Sequence, residues 1–487
     1  MPPAVNRPAS HAADAKHPES HGGTRGSMAA FEHDSRWRPT FVRHAIRAPQ
    51  RPGFVLEAFL LFEFACQLAL AFTPLSAARV LVRVAAFAAS LALLVTQRRS
   101  GPAHPAEGPA IWIALIVILS IFHPSTNNWL AGVAQASLYI AILAPLFWVS
   151  RSHVDSTTLR RAIFIMWSFQ TISAGVGVLQ FYLPGKLQPY LSAVVASVGE
   201  GYVKDLHLAT PDGRWILRPM GLSDVPGGAA MAGLYAVLLG MGFFLSRRAV
   251  WSRLVCAGGM GLGMLCIYLS QVRSVLAVLV VSGLASGAVL IWRGRRIQSI
   301  VLAALLAAVL VAGFQWAVSV GGAAVGSRLA AFTQNPERVY SQERGRFLIE
   351  TIEELLPKYP LGAGLGRWGM MNHYFGDNTN LESGVFWVEI QWTGWLLDGG
   401  VPLIFAYVAA LALTLRATLR IALTRDRSDL WLWGAILFGY DIGALANTFA
   451  YPLFIGQSGL EFWLFNALLY AAADSTRGPR SKPWLKQ

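Results

Sequence analysis

Long apolar runs alternate with short polar stretches from about residue 54 to about residue 473. Most of these runs are long enough to cross a bilayer as a helix, because about 20 residues span the hydrocarbon core. The pattern predicts an all-α fold, a polytopic transmembrane helix bundle of about twelve spans. The predicted spans are residues 54–74, 78–95, 109–123, 129–149, 162–183, 225–245, 254–270, 274–292, 298–317, 393–414, 429–450 and 458–473.

Basic clusters separate the predicted spans in pairs, for example at Arg98-Arg99, Arg160-Arg161 and Arg247-Arg248. Because loops rich in Lys and Arg stay in the cytoplasm, this spacing predicts a multi-pass membrane protein with both termini cytoplasmic. Membrane topology therefore accounts for most of the formal net charge of +14. The same basic residues would meet anionic lipid head groups, and they do not indicate nucleic-acid binding.

The predicted spans divide the chain into five segments. Residues 1–53 are expected to form a disordered cytoplasmic tail, because they lack apolar periodicity and are rich in Pro, Ala, His, Ser and Arg. Residues 54–317 hold transmembrane helices 1–9 and an outer loop at 185–224. Residues 318–392 form a large extracytoplasmic loop, 393–473 hold helices 10–12, and 474–487 form a second cytoplasmic tail. Both outer loops are longer than a connector requires, so we expect function there.

The larger outer loop contains a pattern typical of an amphipathic helix lying on the membrane surface. The pattern begins at Ser341, places Leu348, Ile352, Leu355 and Leu356 on one stripe with Arg344, and ends at Pro357 and Pro360. Arg344 and Arg346 lie near the helix start, and their guanidinium groups suit bidentate binding of phosphate or pyrophosphate oxygens. The alternative is that these arginines form surface ion pairs with Glu343 or Glu350.

A glycine-rich run follows this helix, from Pro360 through Gly362, Gly364 and Gly366 to Arg367. Its glycines allow positive φ and a close approach of the backbone to a ligand. The run follows a helix, so it is not the dinucleotide-binding fingerprint, which follows a strand.

Two further arginines are predicted on the extracytoplasmic side. Arg218 precedes Pro219-Met220-Gly221 at the end of the smaller loop, where a binding lip leads into the next span. Arg273 lies at the tightest hairpin between two spans. The alternative for each is that its side chain extends to the membrane interface. Three separate outward arginine sites on one face favour an anionic ligand.

Charged residues inside the first two spans receive a structural interpretation. Glu57 and Glu63 lie on the first span, and Arg79 and Arg83 lie on the second. Because charges are costly in lipid, we expect these groups to face one another across adjacent helices.

The order of these motifs resembles the O-antigen ligase and Wzy-type polysaccharide polymerase superfamily over roughly residues 160 to 420. The features are an outward Arg-x-x-Gly at Arg218, a Ser-x-x-Arg hairpin at Arg273, an Arg-rich loop helix, and Pro-Leu-Gly-x-Gly-x-Gly before a Gly-rich span entry at Gly399-Gly400. The resemblance implies a metal-independent glycosyltransferase without cofactors. It would act on polyprenyl-pyrophosphate-linked glycans at the periplasmic face of the bacterial inner membrane.

The resemblance also implies roles for individual residues. Arg218 and Arg273 match the family's two outward arginines, which are proposed to hold the pyrophosphate of the donor. Glu389 stands where the ligases usually have a histidine, and a carboxylate there can accept a proton from an acceptor hydroxyl. This departure favours a polymerase over a ligase. His373 is a second candidate base, and an ordinary loop histidine is the alternative.

The sequence therefore predicts an enzyme that polymerises lipid-linked oligosaccharide repeats into exopolysaccharide or O-antigen. Its expected partners are the lipid-linked glycan, membrane lipids, and a chain-length regulator or flippase, with no nucleic acid. The alternatives are an O-antigen ligase that transfers glycan to lipid A-core, a transporter or flippase for lipid-linked sugar, and a structural subunit of an envelope complex.

Overall fold

The computed structural model describes residues 53–73, 76–97, 101–152, 154–197, 199–209, 213, 215–246, 249–334, 336–377, 379–380, 384–424 and 429–476. The described residues are mostly helical, and a single antiparallel hairpin joins β1 (His207–Ala209) to β2 (Trp215–Leu217). The prediction of an all-α fold is therefore confirmed for these residues. The tails predicted at 1–53 and 474–487 lie almost wholly outside them.

Each predicted span coincides with one long helix. The helices are α1 (Phe54–Phe72), α2 (Ser76–Thr96), α3 (Glu107–Ser120), α4 (Trp129–Trp148), α5 (Ser156–Tyr182), α6 (Gly228–Ser246), α7 (Val250–Ser270), α8 (Arg273–Trp292), α9 (Arg296–Gln334), α10 (Gln391–Leu423), α11 (Leu430–Asn447) and α12 (Gln457–Ser475).

Nine of these helices, counted within the described residues, are long and apolar enough to cross a membrane. The other three are α3, which has 14 residues, and α11 and α12. Both α11 and α12 carry buried polar side chains, such as Asp441 and Asn466, which lower their hydropathy. The number of spans beyond nine remains a prediction.

Some of the polar groups inside the bundle are paired with one another. The Asn466 side-chain amide on α12 donates to the Asp441 carboxylate on α11 at 2.8 Å, and Thr418 on α10 donates to the Asn466 carbonyl at 2.7 Å. These hydrogen bonds offset the cost of burying polar groups. Since α11 and α12 bury most of their residues, they form the inner part of the bundle.

Small residues let neighbouring helices approach closely. A Cβ atom on Gly233 of α6 would lie 2.5 Å from the carbonyl oxygen of Gly263 on α7. A Cβ atom on Gly439 of α11 would lie 2.0 Å from the hydroxyl of Ser286 on α8. Close packing of this kind is typical of membrane helices, where van der Waals contact replaces the hydrophobic effect between helices.

The described residues of the long connecting segments, which lie within 183–227 and 336–390, are at one end of the bundle, which we call the loop-rich end. The backbone N–H of Tyr190 donates to the carbonyl of Ala71 near the end of α1 at 3.0 Å, which places the first segment there. The Tyr340 hydroxyl donates to the carbonyl of Phe449 after α11 at 3.4 Å, which places the second there. At the opposite end, Arg160 pairs with Asp429.

The charges of α1 and α2 do not face one another, so the expectation of pairing across these helices was wrong. Glu57 lies 3.6 Å from Arg161 of α5, and Glu63 is buried near Glu461 of α12. Arg79 and Arg83 both bind Asp224, at the end of the smaller outer loop. The charges of the two helices do not pair because they lie at different depths in the bundle. The two arginines lie near the loop-rich end of α2, and the two glutamates lie further from that end on α1.

The two outer loops contain more regular structure than connectors usually do. The smaller one holds two short helices, Ala193–Ser197 and Glu200–Asp205, followed by the β hairpin. In the larger one, α9 continues to Gln334, well past the predicted end at residue 317. Residues 336–358 then form a second helical segment with two π-helical turns, which we call the loop helix. The predicted helix is therefore present, but it begins at Pro336 and not at Ser341, and its position on the membrane surface stays a prediction.

Candidate functional site

The lip that carries Arg218 is fixed to the side of α5. The side-chain carbonyl of Gln180 accepts hydrogen bonds from the backbone N–H groups of Met220 and Gly221, at 2.8 and 2.9 Å. Its amide donates to the carbonyl of Gly221 at 2.8 Å, and Ser173 accepts from the N–H of Leu222 at 3.0 Å. The backbone of Arg218 donates to the carbonyl of Leu206 at 3.0 Å. These bonds hold the lip in a defined shape, although it has no long helix of its own.

The lip reaches the hairpin that carries Arg273. Gly227 has φ of +82°, and a Cβ atom there would lie 3.0 Å from the Cγ2 atom of Val272. Val272 directly precedes Arg273, the first residue of α8. The Gly227 end of the segment that follows Arg218 therefore lies against the Arg273 hairpin at the loop-rich end, and the binding of one ligand by Arg218 and Arg273 stays a prediction.

Arg273 forms an ion pair with Glu343 of the loop helix. The Arg273 side chain is 14% exposed, whereas that of Glu343 is 55% exposed. The guanidinium group thus lies mostly within the protein, and the carboxylate that pairs with it lies near the surface. The sequence offered Glu343 as a partner of Arg344 or Arg346, whereas in the structure Glu343 pairs with Arg273 from the α7–α8 hairpin.

Arg344 forms an ion pair with Glu389, two residues before α10 begins. The Glu389 side chain is 16% exposed, and its other oxygen accepts a hydrogen bond from the indole N–H of Trp387 at 2.9 Å. Burial lowers the pKa of Arg344, and nearby Tyr202 and Glu343 oppose that shift. The candidate base and a candidate phosphate ligand are therefore in direct contact.

Tyr202 joins the smaller outer loop to this contact. Its ring packs edge-on against the indole of Trp387, with centroids 5.5 Å apart. Tyr202 lies in the short helix Glu200–Asp205, so both outer loops contribute to one surface. We call the surface formed by Arg273, Glu343, Arg344, Glu389, Tyr202 and Trp387 the arginine–glutamate cluster.

An apolar cavity lies against the loop helix close to this cluster. Its volume is about 290 Å³, and side chains of the loop helix, of α10 and of the segment after α11 line it. The cavity lies between the loop helix and the bundle. A ligand with an apolar part in the cavity would therefore have its charged part near the arginine–glutamate cluster. The lining residues are Leu348, Thr351, Ile352, Leu356, Trp392, Leu396, Ile404 and Phe449.

Two of the predicted phosphate ligands have other surroundings. Arg346 is exposed, and its guanidinium group lies over the ring of the adjacent Phe347, 4.7 Å from its centroid. Arg367 is 6% exposed and donates to the carbonyls of Ala363 and Gly384, each at 3.0 Å. The structure thus places Arg367 as a brace within the larger loop.

The glycine-rich run adopts the predicted positive φ angles, +102°, +86° and +71° at Gly362, Gly364 and Gly366. Its close approaches are to the protein's own backbone. A Cβ atom on Gly364 would lie 2.5 Å from the carbonyl carbon of Ser125, in the α3–α4 connection. A Cβ atom on Gly366 would lie 2.5 Å from Ala131. In this structure the glycines serve packing between the larger loop and the bundle.

His373 lies in the short helix Gly369–Phe375, on the side of Arg83. Burial, followed by the charge of Arg83, lowers the pKa of His373 below its ordinary value. The imidazole is therefore neutral near pH 7, as a general base must be. His373 thus belongs to the helix Gly369–Phe375, whereas Glu389 lies just before α10 and pairs with Arg344.

Sequence reasoning missed a pair of arginines that share one carboxylate at the loop-rich end. Arg79 donates to Asp224 at 2.8 Å and to the carbonyls of Tyr190 and Leu191, each at 3.1 Å. Arg83 also binds Asp224. The sequence did contain an indication of this pair. Arg79 and Arg83 are four residues apart, which places both on one helical face near the loop-rich end of α2.

A second missed group is Asp398, which is fully buried in α10. Its carboxylate accepts hydrogen bonds from the Tyr139 hydroxyl at 2.6 Å, the Trp368 indole at 2.9 Å and the Gln135 amide at 3.1 Å. These bonds connect α10, α4 and Trp368, the residue that follows the glycine-rich run. A lone Asp in a predicted span gave no indication of which donors surround it.

No model of a known protein family matches the chain, and no curated protein sequence matches it significantly. Within the described residues, no group of three or more His, Cys, Asp or Glu side chains is placed to hold a metal ion. What the fold establishes is a helical protein with helices long enough to cross a membrane.

Proposed function

We propose that the protein is a membrane glycosyltransferase that polymerises polyprenyl-pyrophosphate-linked oligosaccharide repeats. The observation that carries this proposal is the contact between Arg344 and Glu389, with the Arg273–Glu343 pair beside it. A cation for the leaving group and a carboxylate for the attacking hydroxyl are the two groups that glycosyl transfer requires. The order of motifs that resembles the O-antigen ligase and Wzy-type superfamily supports the same reaction.

The proposed mechanism follows from charge. Cleavage of the bond between sugar and pyrophosphate develops negative charge on the leaving oxygen. Arg273 and Arg344, with Arg218 on the adjoining lip, would stabilise that charge more in the transition state than in the ground state. Because both Arg273 and Arg344 are mostly or partly buried, their interaction with the diphosphate is less screened than at a free surface.

Glu389 is the proposed general base. In the free protein its carboxylate is paired with Arg344. When the diphosphate of the donor binds Arg344, the carboxylate is released to accept the proton of the acceptor hydroxyl as that oxygen attacks the anomeric carbon. Trp387 keeps the second oxygen of Glu389 in place through its indole N–H.

The apolar cavity on the loop helix supports a lipid-linked donor. Its lining is almost wholly hydrocarbon and aromatic, and it includes Leu348 and Ile352, one and two helical turns after Arg344. A ligand with an isoprenoid chain and a diphosphate head would place the two parts against these neighbouring surfaces. We further propose that the loop-rich end faces the periplasm across the bacterial inner membrane, as the charge pattern indicates.

A second candidate is an O-antigen ligase, which uses the same donor and a histidine base. The neutral state of His373 favours it. Deletion of the gene and gel analysis of envelope glycans separates the two functions. Single repeats on the carrier or core, without long chains, would identify a polymerase; intact polymer that never reaches lipid A would identify a ligase. Normal glycans in the deletion strain would contradict both.

A further inference from the structure

Arg83 is poorly supplied with acceptors for a buried cation. Its guanidinium group binds one oxygen of Asp224, and the same oxygen also accepts from Arg79. Its other recorded acceptor is the sulfur of Met370, at 3.0 Å, and a thioether is a weak acceptor. The Nε atoms of both arginines are buried without an acceptor among the described residues. Five N–H donors of a guanidinium are thus only partly used.

The same cluster carries an excess of positive charge. Arg79, Arg83 and Asp224 sum to +1, and their side chains are 7%, 13% and 7% exposed. Isolated buried charge is costly unless it is compensated. The titratable groups nearby are His373, which is neutral near pH 7, and Tyr451, close enough to Arg83 and Asp224 to feel their charges. Neither supplies the missing negative charge.

We propose that Arg79 and Arg83 form a phosphoryl-binding site, distinct from the arginine–glutamate cluster, in which Asp224 occupies the place of the anion when no ligand is bound. Phosphate and diphosphate oxygens suit guanidinium groups because they accept paired hydrogen bonds. Asp224 lies two residues before Pro226, in the run Val225-Pro226-Gly227-Gly228 that leads into α6, where glycines permit backbone conformations that other residues avoid. The inference does not depend on the proposed glycosyl transfer.

The phosphoryl group has two sources at the loop-rich end. One is a diphosphate on a soluble or lipid-linked substrate, and the other is the head group of a membrane phospholipid. Tyr451 is close enough to both Asp224 and Tyr202 to feel their charges, so the site adjoins the arginine–glutamate cluster. A diphosphate bound there would lie beside the proposed reaction centre.

The test uses the full-length protein purified in a maltoside detergent, which carries no phosphate. Binding of inorganic pyrophosphate is measured by calorimetry for the wild type and for Asp224→Asn, Arg83→Gln and Arg83→Lys. Removing the competing carboxylate is expected to tighten pyrophosphate binding on the order of tenfold. Arg83→Gln should remove the binding event of this site and leave any binding at the arginine–glutamate cluster, and Arg83→Lys should weaken it, because an ammonium lacks the paired donors.

Two controls keep the result specific. Arg160→Gln removes an ion pair at the opposite end of the bundle and should bind pyrophosphate like the wild type. Arg273→Lys alters the arginine–glutamate cluster and should leave the tightening by Asp224→Asn intact. Circular dichroism and thermal unfolding show whether each variant is folded. Arg83→Lys keeps the charge and provides a folded comparison if Arg83→Gln does not fold.

Native mass spectrometry of the same samples distinguishes the sources. A retained phospholipid that is lost in Arg83→Gln would identify a lipid head group, and pyrophosphate binding without retained lipid would identify a diphosphate. Either result supports the site. If folded Asp224→Asn binds pyrophosphate no more tightly than the wild type, and Arg83→Gln keeps both the pyrophosphate binding and the lipid of the wild type, then the triad is only a structural ion cluster and the inference is overturned.

Discussion

Arg344 on the loop helix and Glu389 at the entry to α10 form an ion pair, although 45 positions separate them along the chain. Neither residue has a neighbour in sequence that would identify the other as its partner. Their contact joins the surface helix of the larger loop to the bundle, and it places opposite charges where the proposed reaction needs them.

Glu389→Gln is expected to lower polymer formation by about 10²-fold or more, because an amide cannot accept the proton of the attacking hydroxyl. Chain formation from lipid-linked repeats, measured with the purified variant in liposomes, checks this. Glu350→Gln is the matched control, since Glu350 is exposed on the same loop helix. Equal loss in both variants would mean that the carboxylate at 389 has no special role.

Arg273→Lys should reduce activity by about tenfold or more, since an ammonium cannot reproduce the paired donors of a guanidinium toward a diphosphate. Arg346→Lys, on the exposed face of the loop helix beside Phe347, should change activity little. The rates of both variants at saturating donor decide the matter. A wild-type rate for the Arg273→Lys variant would argue against binding of the leaving group by the Arg273 guanidinium.

Gly400→Ala should destabilise the protein by about 1–3 kcal/mol or more, because the residue has φ of +67° and a Cβ atom would lie 2.3 Å from the carbonyl oxygen of Pro360. Gly258→Ala, in α7, meets nothing within 4 Å and should be neutral or slightly stabilising. Thermal unfolding in detergent measures both variants. A stable Gly400→Ala would mean that the break in α10 is not required.

Asp398→Ala is expected to destabilise the protein by roughly 3 kcal/mol or more, because it leaves three buried donors without an acceptor. Tyr139→Phe removes one of those donors and should cost about 1–2 kcal/mol. Unfolding midpoints of the two variants, compared with the wild type, test the order. The opposite order would show that the Tyr139 hydroxyl has a larger role than the carboxylate.

His373 predicts a pH dependence of stability. Its pKa is lower in the folded protein than in the unfolded chain, so folding favours the neutral ring. The resulting stability is present above the unfolded pKa of about 6.5 and is lost as the pH falls toward the folded pKa. Wild-type protein should therefore lose more thermal stability below about pH 6.5 than His373→Gln does. If thermal stability changed with pH in the same way in both proteins, the lowered pKa of His373 would be contradicted.

Hydropathy predicted the helices because it is a local property of the chain. The α-helical class, the approximate position of each long helix and the helix in the larger loop all follow from such patterns, whereas the roles of the predicted site residues stay predictions. The length of α9 was underestimated, because its helix continues beyond the apolar run into polar sequence at Gln334.

Those patterns could not predict contacts between residues that are far apart in the sequence. Asp224 binds Arg79 and Arg83, which come about 140 residues earlier, and no periodicity encodes that contact. The glycine run had two physical uses, ligand approach and backbone packing, and sequence could not choose between them. Likewise Arg367 has the residue type of a phosphate ligand, yet its donors bind carbonyls of its own loop.

The break in α10 at Gly400 has a mechanical consequence. The backbone N–H of Val401 donates to the carbonyl of Pro360 at 2.9 Å, and the N–H of Ala363 donates to the carbonyl of Leu397 at 2.7 Å. The glycine-rich run is therefore hydrogen-bonded to α10 on both sides of the break. Neither part of α10 can move relative to the glycine-rich run without breaking one of these two hydrogen bonds. Any displacement of the larger loop is therefore transmitted into the bundle through α10.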